Sequence, residues 1–152
     1  MGYGLGASLG AKVGCPDKVV VNIAGDGCLR MNLQEIATAT RSEIPVIEVV
    51  INNHVLGMVR QWQTLFYRQR FSHTTLRDKV DFVKVAEAMG GKARRVTNIR
   101  EFEEAFREAM AGKEFYLIDC IIDSDDKVWP MVAPGGSISE AFTEEDLQNQ
   151  EK

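Results

Sequence analysis

KVVVNIAGDGCLRMN, residues 18–32, decides the fold. Its first seven residues are β-branched and almost wholly apolar, the composition of a strand buried on both faces of a parallel sheet. The run stops at Gly25-Asp26-Gly27, where two residues without side chains flank a carboxylate. Beyond that break Met31, Leu33, Ile36 and Ala37 recur at helical spacing through about Ser42. A strand, a break and a helix in this order form the opening of a β-α-β unit.

The same alternation continues on either side. Residues 2–13 (GYGLGASLGAKV) read as a close-packed helix ending near Gly14, Pro45 introduces a second buried strand over 46–51, and a helix begins at Met58. Residues 68–81 read as loop, 82–89 as a helix closed by Gly90-Gly91, and 92–96 (KARRV) as a short strand. Phe102, Ala105, Phe106, Ala109 and Met110 mark another helix, and 114–123 (EFYLIDCIID) the last strand. Strands alternating with helices predict an α/β fold, three layers (α/β/α) around a mainly parallel sheet. A chain of 152 residues is one domain, able to bury roughly 68–70% of the surface it exposes when unfolded. The domain is assigned to 1–136, and the acidic stretch 137–152 is expected to be a solvated, mobile tail.

Composition removes several function classes. With 18 Lys and Arg against 22 Asp and Glu, a net charge of −4 and no basic block, the chain carries no footprint for nucleic acid. Cys15, Cys28 and Cys120 are far apart and lack C-x-x-C spacing, which fits neither a disulfide framework nor a zinc site and suits a reducing compartment. No apolar run approaches the ~20 residues of a membrane span, and no signal-peptide pattern opens the sequence. Gly6 stands where N-myristoylation needs Ser or Thr. A soluble cytoplasmic protein with no membrane partner is expected.

In open α/β sheets ligands bind beyond the carboxyl ends of the strands, so Asp26 and Asn53, each following a predicted strand, should face one crevice. Gly25 and Gly27 permit a tight turn and let backbone N–H groups approach an anion, to which the following helix adds its positive end. A diphosphate suits that place. A carboxylate repels it unless a cation lies between, and Mg²⁺ takes few protein oxygens while keeping phosphate oxygens and water. Asp26 then reads as a magnesium ligand, with Asn53 supplying a neutral amide oxygen.

Gly25-Asp26-Gly27, followed after 25 residues (28–52) by Asn53, resembles the signature by which thiamine diphosphate enzymes hold magnesium diphosphate. MGYGLGASLGA (1–11), GDGCLRMNLQEIATA (25–39), PVIEVVINNHVLGMVRQWQTLFY (45–67) and VWPMVAPGGS (128–137) extend the match. Together they resemble the C-terminal third of the catalytic subunit of the acetolactate synthase family.

The resemblance implies a thiamine diphosphate-binding fold and assigns roles by position. The Asp26 and Asn53 side chains and the Val55 carbonyl would hold Mg²⁺, with Gly25, Gly27 and Cys28 approaching the diphosphate. Met1 and Met58 would lie against the cofactor, Met1 enforcing its bent shape. Met58, Val59 and Trp62 would line the site where the second 2-oxoacid is accepted. The family decarboxylates pyruvate and joins the two-carbon unit to a second pyruvate or to 2-oxobutanoate, a step of branched-chain amino acid biosynthesis. The resemblance also implies a homo-oligomer, a pyrimidine-binding domain carrying the activating glutamate, and an FAD site formed mostly by a further domain. Glu35 does not match that glutamate and reads as an exposed helical residue.

Other readings stand beside this one. The chain would equally keep its fold as a non-catalytic binding module, or belong to another thiamine diphosphate-dependent decarboxylase or carboligase, though GMVRQWQTLFY (57–67) favours the synthase. Gly4, Gly6 and Gly10 weakly resemble a dinucleotide loop, but no strand precedes them, so helix packing is the better reading. By residue type alone Met58, Val59 and Trp62 belong in a core, and His54 and His73 in loops.

Overall fold

The computed structural model describes residues 1–76 and 79–150. Helix α1 (Tyr3–Gly14) leads into strand β1 (Val21–Gly25), the short α2 (Asp26–Leu29), α3 (Glu35–Arg41) and β2 (Ile47–Asn52). Then come α4 (Gly57–Phe66), α5 (Phe82–Ala88), β3 (Lys92–Val96), α6 (Ile99–Ala111), β4 (Tyr116–Ile121), a 3₁₀ turn (Ile138–Glu140) and α7 (Glu144–Gln150). The strands form one parallel sheet in the order β1-β2-β4-β3. Their register is level: Val21 lies opposite Ile47, Ile47 opposite Tyr116, and Tyr116 opposite Lys92. All carboxyl ends therefore finish at one edge, which brings Asp26 and Asn53 together.

The chain steps one way across the sheet from β1 to β2 and the other way from β3 to β4. Right-handed crossovers then place the intervening helices on opposite faces. Leu5 and Leu9 of α1, Ile36 of α3 and Phe82 and Ala86 of α5 pack with Val46, Val50 and Leu117 on one face. Ala105 and Ala109 of α6 pack with Ile47, Val49 and Ile118 on the other. Around β2 the alternation is strict, since successive side chains of a strand point to opposite faces. Three layers around a parallel sheet agree with the expectation.

Two local expectations are corrected, and a third segment carries structure that the sequence did not announce. First, β1 is not buried on both faces: Ile23 is 70% exposed and Val21 and Val19 are also open. An apolar run shows what a strand can pack against, not whether a layer is there to pack. Second, the helix expected from Met31 starts at Glu35, and Ala39 joins Ile36 in the core while Ala37 and Met31 are exposed. Residues 30–34 are held instead by turn hydrogen bonds such as Asn32 N–H to Leu29 C=O at 3.1 Å and Glu35 N–H to Asn32 C=O at 3.0 Å. Third, the acidic stretch carries regular structure. Ser137 and Glu140 cap the 3₁₀ turn reciprocally. Phe142 pairs backbone-to-backbone with Met131, at 2.8 Å in both directions, and its ring meets Phe66 and Trp129 edge-on. One aromatic anchor draws a polar segment back onto the domain.

Candidate diphosphate and metal site

Gly25 ends β1 in extended conformation (φ −73°, ψ 157°) and Asp26 opens α2 directly. The left-handed turn allowed by the two glycines is not used. What Gly27 contributes is space: a Cβ there would fall 2.7 Å from Leu56 Cδ2 and 3.8 Å from Met1 Cε. At Gly25 a Cβ would meet nothing closer than the Ile51 carbonyl at 4.0 Å, because this residue opens onto a cavity.

Asp26 is only 1% exposed. Its Oδ1 accepts the Gly27 N–H at 2.9 Å, while Oδ2 meets no hydrogen-bond donor among the described residues. Burial pushes its carboxyl above the ordinary range, against the pull of the Gly27 N–H, the Arg30 charge and His54. A buried anionic oxygen without a donor is costly, and a cation at that oxygen removes the cost. Among the described residues no three His, Cys, Asp or Glu side chains cluster as a metal set. A metal here would rest on one carboxylate and neutral oxygens, the donor set of Mg²⁺ shared with phosphate.

The second half of the site follows β2. His54 takes a left-handed conformation (φ 58°), and the Val55 N–H donates to Asn53 Oδ1 at 3.2 Å. Leu56 N–H bonds the Thr74 carbonyl at 2.7 Å and Leu76 N–H the His54 carbonyl at 2.9 Å, stitching this loop to the segment before α5. A Cβ at Gly57 would lie 2.9 Å from Asn53 Nδ2, so a larger residue at the start of α4 would displace the asparagine amide.

A cavity of about 460 Å³ joins the two halves. Asp26, Gly25, Gly27 and Cys28 line it from β1 and α2, Asn53 and Val55 from the loop after β2, and Met58 and Val59 from α4. Met1 reaches it from the amino end. Trp62 is not among its lining residues; it lines an adjoining hollow of about 570 Å³ with Gln63, Tyr67 and Arg70, and Met58 and Val59 face both spaces. These two are 50% and 47% exposed, so the core reading of them by residue type fails. The far wall of the cavity, Asp126, Lys127 and Val128, went without a role in the sequence. So did buried Gln61, whose Nε2 donates to the Val128 carbonyl at 2.8 Å. No spacing signals a contact between residues 67 positions apart.

Residues 1–120 match the family model described as thiamine pyrophosphate enzyme, C-terminal TPP binding domain. The chain is 44% identical over 140 residues to the acetolactate synthase isozyme 2 large subunit of Escherichia coli K12, covering 92% of this chain and 26% of that protein. It is 47% identical over 145 residues to the acetolactate synthase large subunit of Corynebacterium glutamicum, covering 92% and 23%. Among solved structures, the Rhodococcus jostii RHA1 thiamine diphosphate-dependent 4-hydroxybenzoylformate decarboxylase superposes with a TM-score of 0.77 at 28% identity, over 84% of this chain and 24% of that one. The chain thus spans about a quarter of the length of these relatives. With its parallel sheet, its buried aspartate at the strand ends and the match over residues 1–120, the chain belongs to the family of C-terminal TPP-binding domains of thiamine pyrophosphate enzymes.

Proposed function

We propose that this chain is the diphosphate- and magnesium-holding domain of an acetolactate synthase, residues 1–136 forming the binding domain and 137–152 its C-terminal tail. The observation that carries the reading is the donorless Oδ2 of Asp26, buried at the carboxyl end of β1 beside a cavity that Asn53 and Val55 also line. Asp26, Asn53 Oδ1 and the Val55 carbonyl would share one Mg²⁺. Gly27 and Cys28 would present the diphosphate with the first turn of α2, where a larger residue at 27 would meet Leu56. Met1 and Met58 supply apolar contact to the cofactor body. Val59 and Trp62, on the side of α4 shared with the adjoining hollow, would receive the second 2-oxoacid.

Thiamine diphosphate, when bound, supplies the electron sink for loss of CO₂ from pyruvate. The residues of this chain hold its phosphates, fix its position and choose between pyruvate and 2-oxobutanoate as acceptor. Proton transfer at the pyrimidine belongs to a glutamate of another domain. The reading therefore includes partner domains for pyrimidine and FAD, homo-oligomeric assembly, a cytoplasmic setting and a role in branched-chain amino acid synthesis. Membership of another thiamine-dependent decarboxylase is the second reading, supported by the fold likeness to the benzoylformate-type enzyme; its 28% identity is well below the 44% to the synthase relative.

Titration calorimetry tests the assignment. Thiamine diphosphate should bind the 152-residue chain weakly with Mg²⁺ and not measurably with EDTA, and Asp26→Ala should abolish the Mg²⁺-dependent heat. Binding unchanged in Asp26→Ala would refute the site. The isolated chain should form no acetolactate, and turnover by it alone would refute the division of labour between domains.

A further inference from the structure

Beneath the loop after β2 lie two buried polar side chains that the site above does not use, Asn52 of β2 and Asp119 of β4. Asp119 Oδ1 accepts from Asn52 Nδ2 at 2.8 Å, and its Oδ2 accepts from Arg95 Nε on β3 at 2.9 Å. Arg95 continues to Asp81 Oδ1 at 2.8 Å, and Asp81 caps α5. At the other end Asn52 Oδ1 accepts the His54 N–H at 3.3 Å. His54 is the residue held at positive φ, a conformation that is unfavourable for a non-glycine residue and persists only when its surroundings impose it.

We propose that Asp119 and Arg95 are positioning residues for the metal site: they fix which way the Asn52 amide faces, and so set the left-handed turn that presents Asn53 and the Val55 carbonyl. The proposal rests on the magnesium reading given above. Its chemistry is a count of acceptors. A carboxylate at 119 takes both the Asn52 amide and the Arg95 guanidinium, because both of its oxygens accept. Asn52 must then direct Nδ2 at Asp119, which leaves its oxygen for His54. An amide at 119 has a single accepting oxygen. If Arg95 claims it, the amide nitrogen faces Asn52, whose own amide must turn over and point a donor at the His54 N–H. Outer residues that orient metal ligands in this way typically carry ~10–100-fold in metal affinity.

Two variants and two readouts test this. Amide exchange of His54 is followed by NMR in the metal-free chain, and Mn²⁺ affinity is measured by EPR in the presence of thiamine diphosphate. Asp119→Asn should speed His54 exchange and weaken Mn²⁺ binding, each by at least ~10-fold. The exchanged pair Asn52→Asp with Asp119→Asn should restore both to within ~3-fold of wild type, a non-additivity expected only of groups in one network. In that pair the carboxylate moved to β2 accepts from the amide moved to β4 and from the His54 N–H, and the oxygen of that amide accepts from Arg95. Should the single variant fail to fold, a folded pair with wild-type exchange supports the proposal and an unfolded pair overturns it. Wild-type exchange and affinity in Asp119→Asn, or a pair no better than the single variant, overturns it as well. A wild-type chain that takes no Mn²⁺ sinks the metal reading instead, and the exchange data still decide the relay.

Discussion

Gln61 and Val128 exchange two hydrogen bonds: Gln61 Nε2 donates to the Val128 carbonyl at 2.8 Å, and the Val128 N–H donates to Gln61 Oε1 at 2.9 Å. A side-chain amide here imitates a strand partner and fastens the far wall of the cavity to α4. Arg60, its neighbour in the helix, reaches the same segment through Asp125 at 2.7 Å, but Asp125 is largely exposed.

These two contacts should differ in weight. Gln61→Leu keeps much of the volume but removes both hydrogen bonds to the Val128 backbone, each worth about 0.5–1.5 kcal/mol, whereas a half-exposed ion pair contributes about 0–1 kcal/mol. Urea unfolding should rank Gln61→Leu below Asp125→Ala in stability, since the latter removes the ion pair and leaves Arg60 over the Phe71 ring, and limited proteolysis should cut Gln61→Leu first between 123 and 130. Equal losses in the two variants would remove Gln61 from this role.

Asp26 should trade stability for binding. Its folded pKa is raised by burial, so the metal-free domain is relatively favoured at low pH, where the group is protonated, and loses that advantage as pH rises through the folded value. Asp26→Ala is expected to be at least as stable as wild type in EDTA at neutral pH while losing Mg²⁺-dependent cofactor binding. Thermal scans with and without Mg²⁺ and thiamine diphosphate read both effects.

Glu48 is fully buried on β2, with Asn22 Nδ2 donating to its two oxygens at 2.9 and 2.8 Å. Burial pushes its carboxyl from the ordinary 4.5 up to about 7. Stability from this group is fully present below pH 4.5 and is lost as pH rises through about 7, a decline of about 3 kcal/mol at ~1.4 kcal/mol per pH unit. Glu48→Gln should flatten that window and be the more stable protein at pH 8. Denaturant midpoints between pH 4 and 8 that fall equally in both proteins would assign the pH dependence elsewhere.

Trp62 lies edge-on to Phe66 (centroids 5.6 Å apart) and lines the hollow shared with Met58 and Val59. In the assembled enzyme Trp62→Leu should lower the preference for 2-oxobutanoate over pyruvate by ~10-fold or more, since one methylene in an apolar pocket already discriminates by ~1–3 kcal/mol. Product ratios under substrate competition measure it, and an unaltered ratio removes Trp62 from acceptor choice.

Local chemistry made much of this protein legible in its sequence. The apolar runs before Asp26 and Asn53 announced parallel strands, and the glycines and amides after them announced a place where ligand meets backbone, because strand period and side-chain absence are properties of neighbours in the chain. The β3 segment at 92–96 is read from its sequence with the bounds it has in the structure. Tertiary structure alone decided the rest. It opened one face of β1, since an apolar strand cannot announce the number of layers around it. It returned Phe142 to Met131, and brought Asp126, Lys127 and Val128 to α4 to finish the cavity wall. It also buried Glu48 and Asp119, two carboxylates that look like ordinary strand interruptions until their partners Asn22, Asn52 and Arg95 arrive from other strands. Burial and hydrogen-bond partnership are sums over residues distant in sequence, and only the folded chain performs that sum.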